Sequence, residues 1–114
     1  LGAMAEAEKE LKLALKINAK AAYVYSALGN LYYKTGKLID ATKAYVMATQ
    51  VEPRDITLRL NLGMVYYRRR AYKESLEVFA GVVKMNEPNS QQGQYATKMI
   101  ERIQVEARQN TPRV

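Results

Sequence analysis

Few residues of this chain are of the types that enzymes use for catalysis. The sequence has no histidine and no cysteine, which removes the commonest general base, the commonest metal ligand and every disulfide or thiolate site. The eleven acidic residues are scattered, and no two are placed as an acid–base couple. Ser26 and Ser90 lack a partner base, so we expect structural hydroxyls there. We therefore predict that the protein is not an enzyme and uses no metal or other cofactor.

Length and charge narrow the class of protein. The 114 residues are enough for one domain at most, and the net charge of +7 favours anionic partners: acidic peptides, nucleic acid or an anionic surface. No stretch approaches the roughly 18 consecutive apolar residues of a membrane-spanning helix, so no membrane span is predicted. Residues 1–5 look like a cloning scar rather than a secretory signal, so the compartment stays unknown, with the cytoplasm favoured.

One seven-residue pattern occurs twice, 34 positions apart. LGNLYYK begins at Leu28 and LGMVYYR begins at Leu62. Counting back by the same interval also reaches small and apolar residues near the start of the chain, where the first copy is expected to be incomplete. The chain therefore contains an internal repeat. Further pairs at this spacing are Ala41 and Ser75, Tyr45 and Phe79, and Ala48 and Val82.

The spacing within each copy is helical, because apolar residues recur three and four positions apart. Gly36 is expected to end a helix in the left-handed conformation, and Asp55 is a candidate N-cap for the helix that follows. Arg70 stands where Gly36 stands in the previous copy, so we expect strain of roughly 1 kcal/mol at that turn. The pattern predicts six helices, at 5–17, 22–35, 38–51, 56–69, 72–85 and 90–107.

Small residues are expected where two helices approach closely. Gly29 and Gly63, together with Ala41 and Ser75, fall at such points, since a larger side chain would hold the helices apart. Tyrosines and Phe79 are expected to fill the space between copies. One copy alone cannot bury such a face, whereas stacked copies share a continuous core.

A helix pair of 34 residues with Leu-Gly, then Tyr, then small, aromatic and small residues resembles the tetratricopeptide repeat. The resemblance implies an all-α fold, a right-handed α-solenoid of antiparallel helix pairs with about six helices. The last helix departs from the repeat pattern and is expected to cap the solenoid. The predicted parts of a single domain at 6–107 are the second half of a repeat (6–21), two full repeats (22–55 and 56–89) and the capping helix (90–107), before a frayed tail (108–114).

The resemblance implies a protein–protein interaction module, an adaptor or scaffold that binds a peptide segment of a partner in a concave groove. The groove would combine aromatic rings, two carboxamides and positive charge, which suits an acidic peptide: Asn can bridge peptide N–H and C=O groups while Tyr and Met supply apolar contact. The positions carried over from the family to this groove are Tyr23, Ser26, Asn30, Tyr33, Lys34, Thr57, Leu60, Asn61, Met64, Tyr67 and Arg68.

Simpler roles stay open for several of these residues. Asn30 and Asn61 also suit plain surface positions, and Tyr33 and Tyr67 also suit packing. Arg68 belongs to a run of three arginines that suits the negative end of a helix dipole. One subgroup of the family grips chaperone C-termini with Lys, Asn and Arg side chains, but only the two Asn match here, so that mode is not expected.

Two other functions stay open. Helix 6–17 exposes a face, so the chain could instead be a structural module that stacks on repeats of a larger protein or forms a homo-oligomer. Nucleic-acid binding ranks third, because it would need a basic stripe interleaved with aromatic residues. Lys34, Arg68 and Arg69 begin such a stripe, but the other lysines are dispersed.

Overall fold

The computed structural model describes residues 2–87 and 89–109. All regular secondary structure in that part of the chain is α-helical, which confirms the predicted all-α class. The six helices lie close to the predicted ranges. They are α1 (Gly2–Ile17), α2 (Ala22–Lys34), α3 (Leu38–Val51), α4 (Ile56–Arg68), α5 (Tyr72–Met85) and α6 (Gln91–Gln109).

Both ends of the described chain are helical. Residues 2–5, interpreted from sequence as part of a cloning scar, form the first turn of α1. Arg108 and Gln109, placed by the sequence in a frayed tail, extend α6, where Arg108 suits the negative end of the helix dipole. The rest of the predicted tail, 110–114, lies outside the described residues, as do Leu1 and Pro88. No helix among the described residues is long and apolar enough to cross a membrane.

The packing divides into two compact units, Leu1–Leu58 and Arg59–Val114. The first unit contains α1, α2, α3 and the start of α4, and the second contains the rest of α4 with α5 and α6. In the first unit the core lies between α2 and α3. Its buried side chains include Val24, Leu28, Ala41, Tyr45 and Ala48.

Two glycines mark the closest approach of paired helices, as expected. A Cβ added at Gly29 would lie 2.6 Å from the ring of Tyr45, and one added at Gly63 would lie 2.8 Å from the ring of Phe79. Fully buried Ser75 donates its hydroxyl to the Gly63 carbonyl at 2.8 Å. Each pair of helices therefore approaches closely where an aromatic ring lies over a glycine. These pairs are α2 with α3 and α4 with α5.

The turn after α2 has the geometry predicted for it. Gly36 has φ of 79°, and the Lys37 N–H donates to the Tyr32 carbonyl at 2.9 Å, which closes a Schellman motif. The predicted N-cap of α4 is confirmed as well. The Leu58 N–H donates to Oδ1 of Asp55 at 3.2 Å, which satisfies a backbone donor in the first helical turn.

The turn at Arg70 has the same geometry as the turn at Gly36, although its residue is not a glycine. The φ of Arg70 is 61°, and the Ala71 N–H donates to the Tyr66 carbonyl at 2.9 Å, so the hydrogen bonds match those after α2. A side chain with a Cβ costs about 1–2 kcal/mol in this left-handed region. The strain expected from sequence is therefore present in the backbone geometry.

Replacing Arg70 by glycine is expected to raise the free energy of unfolding by about 1 kcal/mol, because glycine adopts the left-handed conformation without steric cost. Urea unfolding followed by circular dichroism measures the change. Gly36→Ala is the matched control at the sibling turn and should lower stability by a similar amount. A lower unfolding midpoint for Arg70→Gly would show that the arginine side chain stabilises the turn.

The last helix packs against α5 within the second unit. Ala96, Met99 and Ile103 are buried along one face of α6, while Val105 is exposed. Ser90 caps its N-terminus by accepting the Gly93 N–H at 3.0 Å. The hydroxyl expected to be structural therefore has a structural partner.

Candidate functional site

α2 presents two opposite faces. Val24, Leu28 and Gly29 are buried on the side of α3, whereas Tyr23 is 78% exposed and Asn30 is also exposed. Because helical residues three and four apart share a face, Tyr23, Ser26 and Asn30 form one stripe on the outward side. The core is thus complete without the residues that the sequence assigned to binding on this helix.

Three of the predicted binding residues line one recess in the first unit. Tyr23 and Ser26 come from α2, and Thr57 comes from the start of α4. We call this surface the Tyr23 recess. Its polar lining is completed by Lys20, Glu52 and Asp55, among other residues.

Asn30 is held by a buried tyrosine. The hydroxyl of Tyr45 donates a hydrogen bond to Oδ1 of Asn30. Burial raises the pKa of Tyr45 to about 12, so the hydroxyl keeps its proton at neutral pH and remains a donor. This contact orients the carboxamide and leaves the Nδ2 group of Asn30 as its donor toward a ligand. Because the amide oxygen has a second lone pair, the bridging of a peptide N–H and C=O by Asn30 stays a prediction.

Met64 occupies in the second copy the place of Asn30 in the first. Its sulfur accepts a hydrogen bond from the hydroxyl of Tyr95 at 3.1 Å. The Tyr95 ring also meets Phe79 edge-on, with centroids 6.4 Å apart and an interplanar angle of 70°. Sequence reasoning did not include Tyr95 in the site, because it lies in α6, which departs from the repeat pattern.

Tyr67 contacts α6 through a hydrogen bond and a cation–π interaction. Its hydroxyl donates to Oε1 of Glu106 at 2.7 Å, and Arg102 donates to the same oxygen at 3.3 Å. The Arg102 guanidinium also lies 5.9 Å from the centroid of the Tyr67 ring. The Glu106 carboxylate raises the pKa of the Tyr67 hydroxyl, since it accepts a hydrogen bond that only the protonated form can donate.

Tyr67 and Arg68 also line a recess of the second unit, which we call the Arg70 recess. The Tyr67 and Tyr72 rings stand 6.4 Å apart at 47°. Sequence reasoning identified two of its members and missed the others, which lie after α4, at the start of α5 and in α6. The residues that line it are Tyr67, Arg68, Arg70, Tyr72, Glu106 and Gln109.

The remaining predicted residues line neither of these two recesses. Tyr33 and Lys34 lie at the C-terminal end of α2, and Leu60 and Asn61 lie in α4. Lys34 is exposed, while the other three are half-buried. In the part of the chain that the structure describes, no group of three or more acidic residues is placed to hold a metal ion.

Comparison with known proteins finds a family model that matches part of the chain. Residues 29–69 match the family model described as TPR repeat, the tetratricopeptide repeat. These residues are therefore similar to a TPR repeat. Anaphase-promoting complex subunit 3 of Schizosaccharomyces pombe is 26% identical over 85 residues, which are 75% of this chain and 13% of that relative. The chain thus spans a small part of that relative's length. Both likenesses support a protein–protein interaction module.

Proposed function

We propose that this protein is a non-catalytic adaptor or scaffold that holds a peptide segment of a protein partner against the outward face of α2 and the start of α4. The exposure of Tyr23 carries the proposal. Its ring is 78% exposed beside a recess, although the neighbouring Val24 and Leu28 already complete the core. Exposed tyrosines of this kind supply much of the binding energy in protein interfaces, since a partner can bury a large ring at low entropic cost.

The outward stripe of α2 offers groups for a peptide backbone. From Tyr23 to Asn30 the helix rises about 10 Å, a length matched by about three residues of an extended peptide. The ring of Tyr23 would give apolar contact, the hydroxyl of Ser26 can donate or accept, and the Nδ2 group of Asn30 would donate to a peptide carbonyl.

Comparison of the two copies supports a binding role for the outward positions. Residues 34 apart in the core keep their character, as with Gly29 and Gly63 or Tyr45 and Phe79. Tyr33 and Lys34 also keep their character, since Tyr67 and Arg68 match them, but the three positions of the outward stripe change type. Their pairs are Tyr23 and Thr57, Ser26 and Leu60, and Asn30 and Met64. Because of these differences, the same helical framework presents different side chains to a ligand in each copy.

Two further observations support a scaffold without catalysis. The chain has no histidine or cysteine. The relative from Schizosaccharomyces pombe is by its name a subunit of a complex, which suits a protein that works through assembly with others. Because that relative is much longer than the matched segment, its own partners are not carried over to this chain.

A photo-crosslinking residue at position 23 tests the proposal. In a lysate of the source organism, p-benzoylphenylalanine at position 23 is expected to capture a partner whose crosslinked peptide mass spectrometry identifies. Tyr23→Ala should then weaken the affinity for a synthetic copy of that peptide about tenfold, the effect of losing a central aromatic contact.

Ile39 provides the matched control. It is 60% exposed and lies in α3, so a crosslinker there samples another apolar surface position of the same unit. Ile39→Ala should change the affinity less than about twofold, as expected for a residue outside the interface. Equal affinities for wild type and Tyr23→Ala, or the same crosslinked proteins from positions 23 and 39, would contradict the proposed site.

Self-association through α1 is a second candidate. None of the residues described in α1 is buried, and Leu13 and Ile17 are exposed, the latter by 89%. Tyr32 of α2 donates to Glu8 at 2.8 Å, and Lys12 binds Glu8 at 2.9 Å, so polar contacts contribute to holding α1 in the first unit. The hydrogen bond from Lys12 lowers the pKa of Glu8, which keeps this carboxylate ionised.

If α1 mediates self-association, the sedimentation coefficient should rise with protein concentration. Replacing both Leu13 and Ile17 by glutamate should abolish that rise, because charges would disrupt an apolar contact between copies. Circular dichroism checks that the variant keeps its helices. A sedimentation coefficient that is independent of concentration in the wild type would rule this candidate out.

A further inference from the structure

We infer that the Arg70 recess binds a single carboxylate of the partner, the side chain of an aspartate or glutamate. The inference rests on the proposed function and names the chemistry of one of its contacts. The recess brings Arg68 and Arg70 together with the rings of Tyr67 and Tyr72. Guanidinium groups recognise carboxylates through paired hydrogen bonds, and the rings can cover the methylene stem of an acidic side chain.

The backbone at Arg70 provides the first argument. The turn after α2 uses Gly36 at φ of 79°, and the turn after α4 holds Arg70 at φ of 61° with the same hydrogen-bond pattern. Glycine therefore suffices for this turn within the same chain. An arginine kept in a strained conformation indicates a role for its side chain beyond the turn itself.

The surroundings of the Arg70 side chain provide the second argument. Arg70 is exposed at the recess, and its guanidinium forms no hydrogen bond or ion pair with any residue that the structure describes. Its five N–H donors are thus directed at no described acceptor, and water or a ligand must satisfy them. A carboxylate from a partner would pair with these donors without breaking an existing contact.

The charge of the recess favours a carboxylate over a phosphate. Two arginines and the carboxylate of Glu106 line it, but Arg68 takes part in another interaction, so the guanidinium of Arg70 is the charge that a ligand would meet. Glu106 is partly neutralised by Arg102 and accepts a hydrogen bond from Tyr67, so it does not block Arg70. A carboxylate carries one charge to match the single guanidinium of Arg70, whereas a phosphate dianion would be repelled about twice as strongly by Glu106.

Titration with an acetylated and amidated hexaglutamate peptide tests the inference by two-dimensional NMR on the full ¹⁵N-labelled chain. We expect shift changes concentrated at the amides of residues 67–72 and at the Nε–Hε group of Arg70. Arg70→Gly should weaken hexaglutamate binding about fivefold, the loss of one charge-assisted contact. Because the same substitution is expected to stabilise the fold, weaker binding cannot be attributed to unfolding.

Three controls define the outcome. Lys84→Gln removes one exposed positive charge of α5 outside the recess and should leave hexaglutamate binding within about 1.5-fold of wild type, unlike Arg70→Gly. Hexaglutamine should produce no shifts at residues 67–72. A hexaphosphoserine peptide, whose phosphates carry about −1.5 to −2 each at pH 7, should bind the recess more weakly than hexaglutamate, and stronger binding would overturn the inference in favour of a phosphate site.

Two other results would also overturn the inference: shifts spread over all basic residues, or equal weakening by Arg70→Gly and Lys84→Gln. The peptide probe is independent of the natural partner. A negative result here would therefore remove the assignment of the Arg70 recess, while crosslinking at position 23 would still decide the proposed function.

Discussion

Phe79→Ala is expected to lower the free energy of unfolding by about 3–5 kcal/mol. The ring is fully buried, lies over the backbone of Gly63 and meets the edge of Tyr95, so its removal leaves a cavity and an unsupported neighbour ring. Urea unfolding of the variant gives the value. Val83→Ala is the control on the same helix. Because Val83 is 38% exposed, its truncation should cost less than about 1 kcal/mol.

A second substitution tests the reason for this effect. In the wild type, Gly63→Ala places a Cβ 2.8 Å from the Phe79 ring and should cost about 1–3 kcal/mol. In the Phe79→Ala background the ring is gone, so Gly63→Ala should instead stabilise the helix by about 0.5–1 kcal/mol. A double-mutant cycle measures this change of sign. Additive effects of the two substitutions would show that the Phe79 ring is not the reason why position 63 requires glycine.

The fold could be predicted from the sequence because the same pattern of core residues occurs in both copies. Gly63 and Phe79 repeat Gly29 and Tyr45 at the same interval, and that interval spans one helix pair. Helix ends were predictable where local chemistry determines them. Gly36 ends α2 through its left-handed backbone, and Asp55 starts α4 through its side chain.

The side-chain network of the candidate site could not be predicted in the same way. The contact of Tyr67 with Glu106 joins residues 39 positions apart, and Glu106 lies in α6, where the repeat pattern no longer assigns positions. The hydrogen bond between Tyr45 and Asn30 could not be predicted for another reason. The sequence indicates that Tyr45 is a core residue and Asn30 an outward one, but only the packed geometry shows that the hydroxyl reaches the carboxamide at the edge of the core.

That bond also links the core to the proposed binding surface. Tyr45 fills the space opposite Gly29 with its ring and orients Asn30 with its hydroxyl. In the second copy Phe79 has no hydroxyl to donate, and Met64 at the place of Asn30 is instead contacted by Tyr95. Equivalent outward positions are thus oriented by different partners, which explains why one frame can present different chemistry in each copy.

Gly29→Ala is expected to lower the free energy of unfolding by about 2–3 kcal/mol. The new Cβ would lie 2.6 Å from the Tyr45 ring, below any normal contact distance. Tyr45 cannot swing away easily, because its ring is buried and its hydroxyl is bound to Asn30. Gly81→Ala is the matched control. The nearest atom to a Cβ at Gly81 is 3.9 Å away, so alanine there should stabilise α5 by about 0.5–1 kcal/mol.

The hydrogen bond between Tyr45 and Asn30 also predicts which of the two glycine substitutions destabilises the fold more. Gly29→Ala should cost more than Gly63→Ala, because Phe79 has no equivalent bond and its ring meets the added Cβ at a slightly longer distance, 2.8 Å. In a Tyr45→Phe background the ring loses its hydrogen bond, so Gly29→Ala should become about 0.5–1.5 kcal/mol less costly. If Gly29→Ala cost the same in the wild-type and Tyr45→Phe backgrounds, the bond to Asn30 would not hold the ring, and the link between the core and the outward face of α2 would be lost.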